Sequence, residues 1–209
     1  MDINVWFADL LASTKGKSGT AAQFVANCIR DGGCPAGPVQ FITSVPVIEN
    51  WVSVLERRFG YAAAEANEQA ALLYDYASDG ALGIPPSIVV GAGHIPFADD
   101  VSERESAIAH KAKTDKRFGE VEDDRHVLLS AVAGEANILA TSDVDDFLRG
   151  PALQLEGRSD VIIYPTAVSG LVIARPAFVR HWLEQGVVPD FKFIESNSDE
   201  FRFSRPARR

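Results

Sequence analysis

The chain has 209 residues, 46% hydrophobic and 23% charged. That balance suits one folded domain and excludes a disordered, collagenous or disulfide-built chain. A net charge of −9 argues against a protein that coats nucleic acid through a broad basic face, yet it leaves room for acids gathered around metal ions, because a bound cation inverts the local field.

No apolar run approaches the roughly 20 residues that span a bilayer. The opening stretch carries Asp2 and Asp9 and no early Lys or Arg, so it does not read as a signal peptide. Val5 to Ser13 and Thr20 to Asp31 read as helices, the second stopped by Gly32 and Gly33. Cys28 and Cys34 read as reduced thiols of a cytoplasmic protein, with one loop-closing disulfide as the alternative. They lack the spacing of a zinc site.

Val39 to Thr43 reads as a strand. Ser44 then looks like a helix N-cap, with Pro46 in the first turn, where its missing N–H is harmless. Val47, Ile48, Trp51, Val54 and Leu55 make one apolar helix face, and Gly60 ends that helix. An alanine-rich helix follows over Ala62 to Ala77. Pro85 and Pro86 break the chain, and Ile88 to Val90 reads as a short buried strand. The stretch 91–122 reads as loops around a charged helix near Ser102 to Lys113.

Asp123 and Asp124 open a helix that runs through Val127 to Ala133 and stops at Gly134. Carboxylates in a first turn suit the helix dipole. Asn137 to Thr141 is a predicted strand leading into Ser142 and Asp143. Val161 to Tyr164 is another, broken by Pro165. Arg175 to Gln185 reads as an amphipathic helix with Phe178, Trp182 and Leu183 inward. The tail from Phe191 to Phe203 reads as an edge strand or a loose end. Helices alternating with β-branched runs predict an α/β fold with a central parallel sheet. One domain is expected over 1–189, with 61–122 an insert-like connection and 190–209 a tail.

Four acids stand at suggestive places: Asp2, Glu49, Asp124 and Asp143. Ligands of open parallel sheets bind outside the carboxyl ends of the strands. Residues at strand ends and in the first turns of the following helices share that edge. Carboxylates held close together repel, and a hard divalent cation such as Mg²⁺ relieves the repulsion. Such an ion can activate water and stabilise charge on a phosphodiester.

The motifs come in a telling order. Asp2-Ile3-Asn4-Val5 looks like an Asp-Thr-Asn-Val opening. Ser44 to Glu49, followed by Val54 to Arg58, looks like a helix bearing a conserved Glu. Asp123 to Leu128, running into Ala131 to Gly134, is followed by Ala136 to Asp143, a strand ending in Thr-x-Asp. This ordered set, about half of the chain, resembles the PIN-domain family of metal-dependent ribonucleases, and in particular the VapC-like toxins of bacterial toxin–antitoxin pairs.

The resemblance implies a three-layer α/β/α sandwich, Mg²⁺ or Mn²⁺ as cofactor, and hydrolysis of RNA phosphodiesters. Asp2, Asp124 and Asp143 would ligate metal, Glu49 would ligate or orient the attacking water, and Asn4 and Thr141 would fix the carboxylates. It also implies a small antitoxin protein as partner, a homodimer, a cytoplasmic setting and no membrane. Ile3 stands where Thr is usual. Only Met1 precedes Asp2, where the family carries an apolar strand. Either the true start lies upstream or the sheet is incomplete and Asp2 poorly anchored.

Plainer roles are expected elsewhere. His126 reads as a helix-surface residue, His94, His110 and His181 as structural or solvated, and Trp6, Trp51 and Trp182 as core. Asp123, Asp145 and Asp146 read as caps or loop charges, and Arg202, Arg205, Arg208 and Arg209 as a solvated tail. Two rivals stand beside the nuclease: a PIN-like scaffold without activity, and a small-molecule α/β enzyme, which would need a deep apolar pocket.

Overall fold

The computed structural model describes residues 1–78, 88–89, 121–148, 152–154, 160–166 and 170–196, the side chains of 88–89, 121–125, 191 and 195–196 excepted. In chain order the elements are α1 (Ile3–Thr14), α2 (Ala21–Arg30), β1 (Gly33–Cys34), β2 (Gly37–Pro38), β3 (Thr43–Ser44), α3 (Val45–Phe59), α4 (Ala63–Ser78), β4 (Ile88–Val89) and α5 (Val121–Ala133). They continue with β5 (Ile138–Ala140), a 3-10 turn (Val144–Phe147), β6 (Leu153–Gln154), β7 (Val161–Tyr164), β8 (Leu171–Ala174), α6 (Pro176–Glu184) and α7 (Phe191–Ser196). The fold is α/β. Pro85, Pro86, Val90, His94, His110, the helix expected near Ser102 to Lys113 and the arginines of 202–209 lie outside the described residues.

Local signals set most boundaries. Thr20 and Gln23 close a capping box at the start of α2, each side chain engaging the other's backbone N–H. Pro46 sits in the first turn of α3, and Gly60 ends that helix at φ 70, a left-handed conformation that suits glycine. Ser44 occupies the N-cap position of α3 but makes no side-chain capping bond. Its hydroxyl instead lies 2.6 Å from that of Ser130, which is also 2.6 Å from the His126 carbonyl. Ser130 has one hydroxyl proton. With that proton on the carbonyl, Ser44 donates to Ser130, tying β3 to α5.

The expected parallel sheet is present only in part. A four-stranded sheet has the order β5-β8-β7-β6. β5 and β8 are parallel, whereas β7 pairs antiparallel with both β8 and β6. The stretch 165–170 between β7 and β8 explains this: a parallel crossover takes about a dozen residues, and a shorter link returns the chain antiparallel. β8 itself was not anticipated. Leu171, Val172, Ile173 and Ala174 are all fully buried, and a strand buried on both faces shows no alternation to read.

Three smaller differences have local causes. The strand expected over Val39 to Thr43 is paired only at Thr43–Ser44, with β4, in parallel. A β1–β2 hairpin stands where only a helix stop was expected. The tail begins as helix α7 rather than an edge strand, and the Asp190 carboxylate accepts the Phe193 N–H at 2.7 Å, a cap that favours helix.

Successive residues of the main sheet feed opposite cores. Leu139, Ile162, Tyr164, Leu171 and Ile173 join a cluster with Trp6 of α1, Trp51 and Leu55 of α3, Leu73 of α4 and Ala131 of α5. Ala140, Val161, Ile163, Val172 and Ala174 join Val25 and Cys28 of α2 and Phe178, Val179 and Trp182 of α6. The period of two in strand geometry produces this division. The three tryptophans are core, as their helix faces predict. Cys28 and Cys34 are free thiols. Burial, with Cys34 alongside, pushes the Cys28 thiol up to about 11, so it stays protonated and unreactive.

β3 and β5 are not hydrogen-bonded to each other. Between them runs an apolar slot of about 480 Å³, lined by residues 38–43 on one long side and 134–140 on the other, with Met1 among its lining. Gly134 makes close packing possible there, since a side-chain carbon at that position would collide with Ile42.

Candidate metal centre

β5 and α1 build the site. Asp2 N–H donates to the Ala140 carbonyl at 2.9 Å, and Thr141 N–H donates to the Ala174 carbonyl at 3.0 Å. The first bond fixes the start of α1 at the carboxyl end of β5. Asp2 is therefore well anchored: it is 3% exposed, which goes against the second of the two alternatives, a poorly anchored Asp2.

The side chains then close a network. The Thr141 hydroxyl donates to Asp2 Oδ2 at 2.6 Å. It accepts from Asn4 Nδ2 and from Asp143 N–H, each at 3.1 Å. One donor and two lone pairs are all that a hydroxyl has, so Thr141 is fully used. Asn4 Nδ2 also reaches Asp143 Oδ2 at 3.1 Å, and Asn4 Oδ1 accepts the Ser142 N–H at 3.1 Å. That last bond sets the amide orientation. Asn4 and Thr141 thus hydrogen-bond the two carboxylates. Ser142, which supplies the orienting N–H, was not singled out from the sequence, although it lies inside the Thr-x-Asp motif.

Burial pushes the Asp2 carboxyl above its ordinary 3.8. The Thr141 hydrogen bond, the Met1 amino group and the N–H groups of Ile3 and Asn4 offset part of that rise. The Met1 amine offers little charge at neutral pH, because its own burial lowers it to about 6. Asp9 is a useful contrast: it is equally buried, but Arg30 of α2 forms a salt bridge to it. Among the described residues, Asp2 has no basic side chain in its network. A buried carboxylate in that state favours a cation beside it.

The other expected site residues are placed differently. Asp143 is exposed at the edge of the cluster. Glu49 is exposed on α3 and makes no hydrogen bond or ion pair among the described residues. Asp124 lies near the start of α5, and its side chain is outside the described ones. Asp145 and Asp146 are exposed in the 3-10 turn, and His126 is exposed on α5. Among the described residues, no three His, Cys, Asp or Glu side chains lie close enough to hold a metal ion. The donors that do converge are oxygens, a hard set that fits Mg²⁺ or Mn²⁺ better than zinc or copper.

Thr141→Val is expected to destabilise the fold by about 1–3 kcal/mol, because it strips partners from the buried Asp2 carboxylate and the Asp143 N–H. Thr141→Ser keeps the hydroxyl and should recover most of the loss. Urea unfolding of both variants measures this, and equal midpoints would show that the hydroxyl does not hold the cluster.

No protein-family profile, no curated protein and no solved structure matches this chain.

Proposed function

We propose that the protein is a PIN-like, divalent-metal-dependent endoribonuclease, with Asp2, Asp143 and Asp124 as metal ligands. One observation carries the reading: the buried Asp2 carboxylate, with no cationic side chain beside it among the described residues, shares a hydrogen-bond network with Asp143 just beyond the end of β5. The separate cores on the two faces of the main sheet support a three-layer arrangement. The motif order supports RNA as substrate and the role of toxin, with a small antitoxin, a second copy and the cytoplasm as its proposed setting. Among the described residues no helix is long and apolar enough to cross a membrane.

Bound Mg²⁺ or Mn²⁺ would supply a water of lowered pKa and neutralise charge on the phosphodiester. The chain's own part is to hold Asp2 and Asp143 in fixed rotamers through Thr141 and Asn4. Such pre-set geometry is what makes an acidic cluster a binding site rather than a patch of charge.

Incubation of the purified protein with single-stranded RNA should give cleavage in Mn²⁺ and none in excess chelator. Absence of cleavage together with absence of Mn²⁺ binding by calorimetry would favour the second reading, a scaffold without activity. Glu49, exposed and without a partner among the described residues, is the observation that speaks for that alternative. The small-molecule enzyme has less support, because none of Asp2, Asn4, Thr141 and Asp143 lines the apolar slot.

A further inference from the structure

Arg175 stands where local physics disfavours it. It is the N-cap residue of α6, and its side chain makes no capping bond. Ser, Thr, Asp and Asn are preferred there because each carries an acceptor for the open N–H groups. Arginine offers donors only, and its charge opposes the positive end of the helix dipole. Pro176 follows at the start of the helix, so a serine ahead of it would complete an ordinary beginning. Breaks of a local rule gather at functional sites.

The sheet register shows what Arg175 is near. β5 and β8 run parallel with Ala140 opposite Ala174, and the Thr141 N–H continues the ladder to the Ala174 carbonyl. Thr141 therefore stands opposite Arg175. Leu139 and Ile173 face one core, and Ala140 and Ala174 face the other. Arg175 is still extended, at φ −66 and ψ 148, so the alternation carries through it. Its side chain leaves β8 on the same face as Thr141 leaves β5, one strand spacing of about 4.8 Å away. Thr141 is the hydroxyl that bonds Asp2, Asn4 and the Asp143 N–H. Arg175 is exposed, and among the described residues its side chain makes no hydrogen bond or ion pair, with Asp2, with Asp143 or elsewhere. Arg30 and Arg180, by contrast, are committed to Asp9 and Glu184.

We propose that Arg175 binds a backbone phosphate of single-stranded RNA, adjacent to the phosphate at the metal. The inference takes its substrate class from the nuclease reading. A chain of net charge −9 with a centre built of acids repels a polyanion. Metal ions neutralise the phosphate under attack, and the next phosphate along the strand still needs a cation. An arginine fork pairs two N–H donors with two phosphate oxygens. The same phosphate offsets the charge conflict at the start of α6. Contacts of this kind position a strand without reading its bases.

Fluorescence anisotropy with a labelled RNA of about 10 nucleotides tests this on the full chain in Ca²⁺, with the RNA checked intact on a gel. Arg175→Ser should weaken binding about tenfold and flatten the log–log salt dependence by about 0.7, the share of one single-strand phosphate. Lys15→Ser removes the same charge at the far end of α1 and should change affinity by less than about twofold, because screening mutes distant charges. Arg175→Ser should also raise the melting temperature by about 2–4 °C, since it supplies the missing cap. Weaker binding would then not stem from a damaged fold. Unchanged affinity in Arg175→Ser, an equal loss in Lys15→Ser, or no RNA binding by wild type would each overturn the proposal. A lower melting temperature would show that Arg175 serves the fold and would overturn it as well. Arg175-dependent binding without cleavage in Mn²⁺ would leave this inference standing and remove the nuclease reading. Cleavage with binding indifferent to Arg175 would do the reverse.

Discussion

Asp143→Asn should lower Mn²⁺-dependent RNA cleavage by about three orders of magnitude, or about 4 kcal/mol of transition-state stabilisation. The reasoning is steric as well as electrostatic. Asparagine has the same outline, so Asn4 and Thr141 can keep their places, but one of the two described carboxylates loses its charge. Asp143 is exposed, so unfolding free energy should stay within about 0.5 kcal/mol of wild type. Single-turnover cleavage of a labelled RNA, beside a urea titration, separates catalysis from stability. A wild-type cleavage rate would remove Asp143 from the site.

Asp2→Asn should have opposite effects on metal binding and on stability. Burial holds the folded-state carboxyl above 3.8. Between that ordinary value and the raised one, the folded chain carries more protons than the unfolded chain. Stability therefore falls as pH rises through that window and stays reduced above it. Asparagine can accept the same bond from Thr141 without any charge to desolvate. At neutral pH, in chelator, the variant should melt several degrees higher than wild type, since each pKa unit of elevation is about 1.4 kcal/mol and each kcal/mol about 2–4 °C for a chain of this size. Its stability should also be flatter from pH 4 upward, and calorimetry should find Mn²⁺ binding lost. A lower melting temperature would mean that the Asp2 charge supports the fold, and that the metal is not what balances it.

The parts of this arrangement that can be read from sequence are those in which a short motif carries its own geometry. Thr141 and Asp143 lie two residues apart at a strand end, and Asp2 and Asn4 two apart at a helix start. Each pair can meet the other only across β5 and α1, as it does. The apolar face of α3 was equally legible, but Glu49 was expected at the metal; it stands two residues from both Val47 and Trp51, roughly 200° around the helix from each, and is exposed. What could not be read was pairing. β8 hid because four buried residues in a row show no period. The direction of β7 depended on the length of a connection rather than on any residue within the strands.

The bonds between Thr141 and Asp2 and between Asn4 and Asp143 each join positions 139 residues apart. The centre is thus a clasp across most of the polymer's length, and it can form only after that large loop has closed. Loop closure of this span adds little to equilibrium cost but delays folding. Anything captured by the clasp recognises only the fully closed chain. Its binding free energy would therefore add to global stability rather than protecting a local segment.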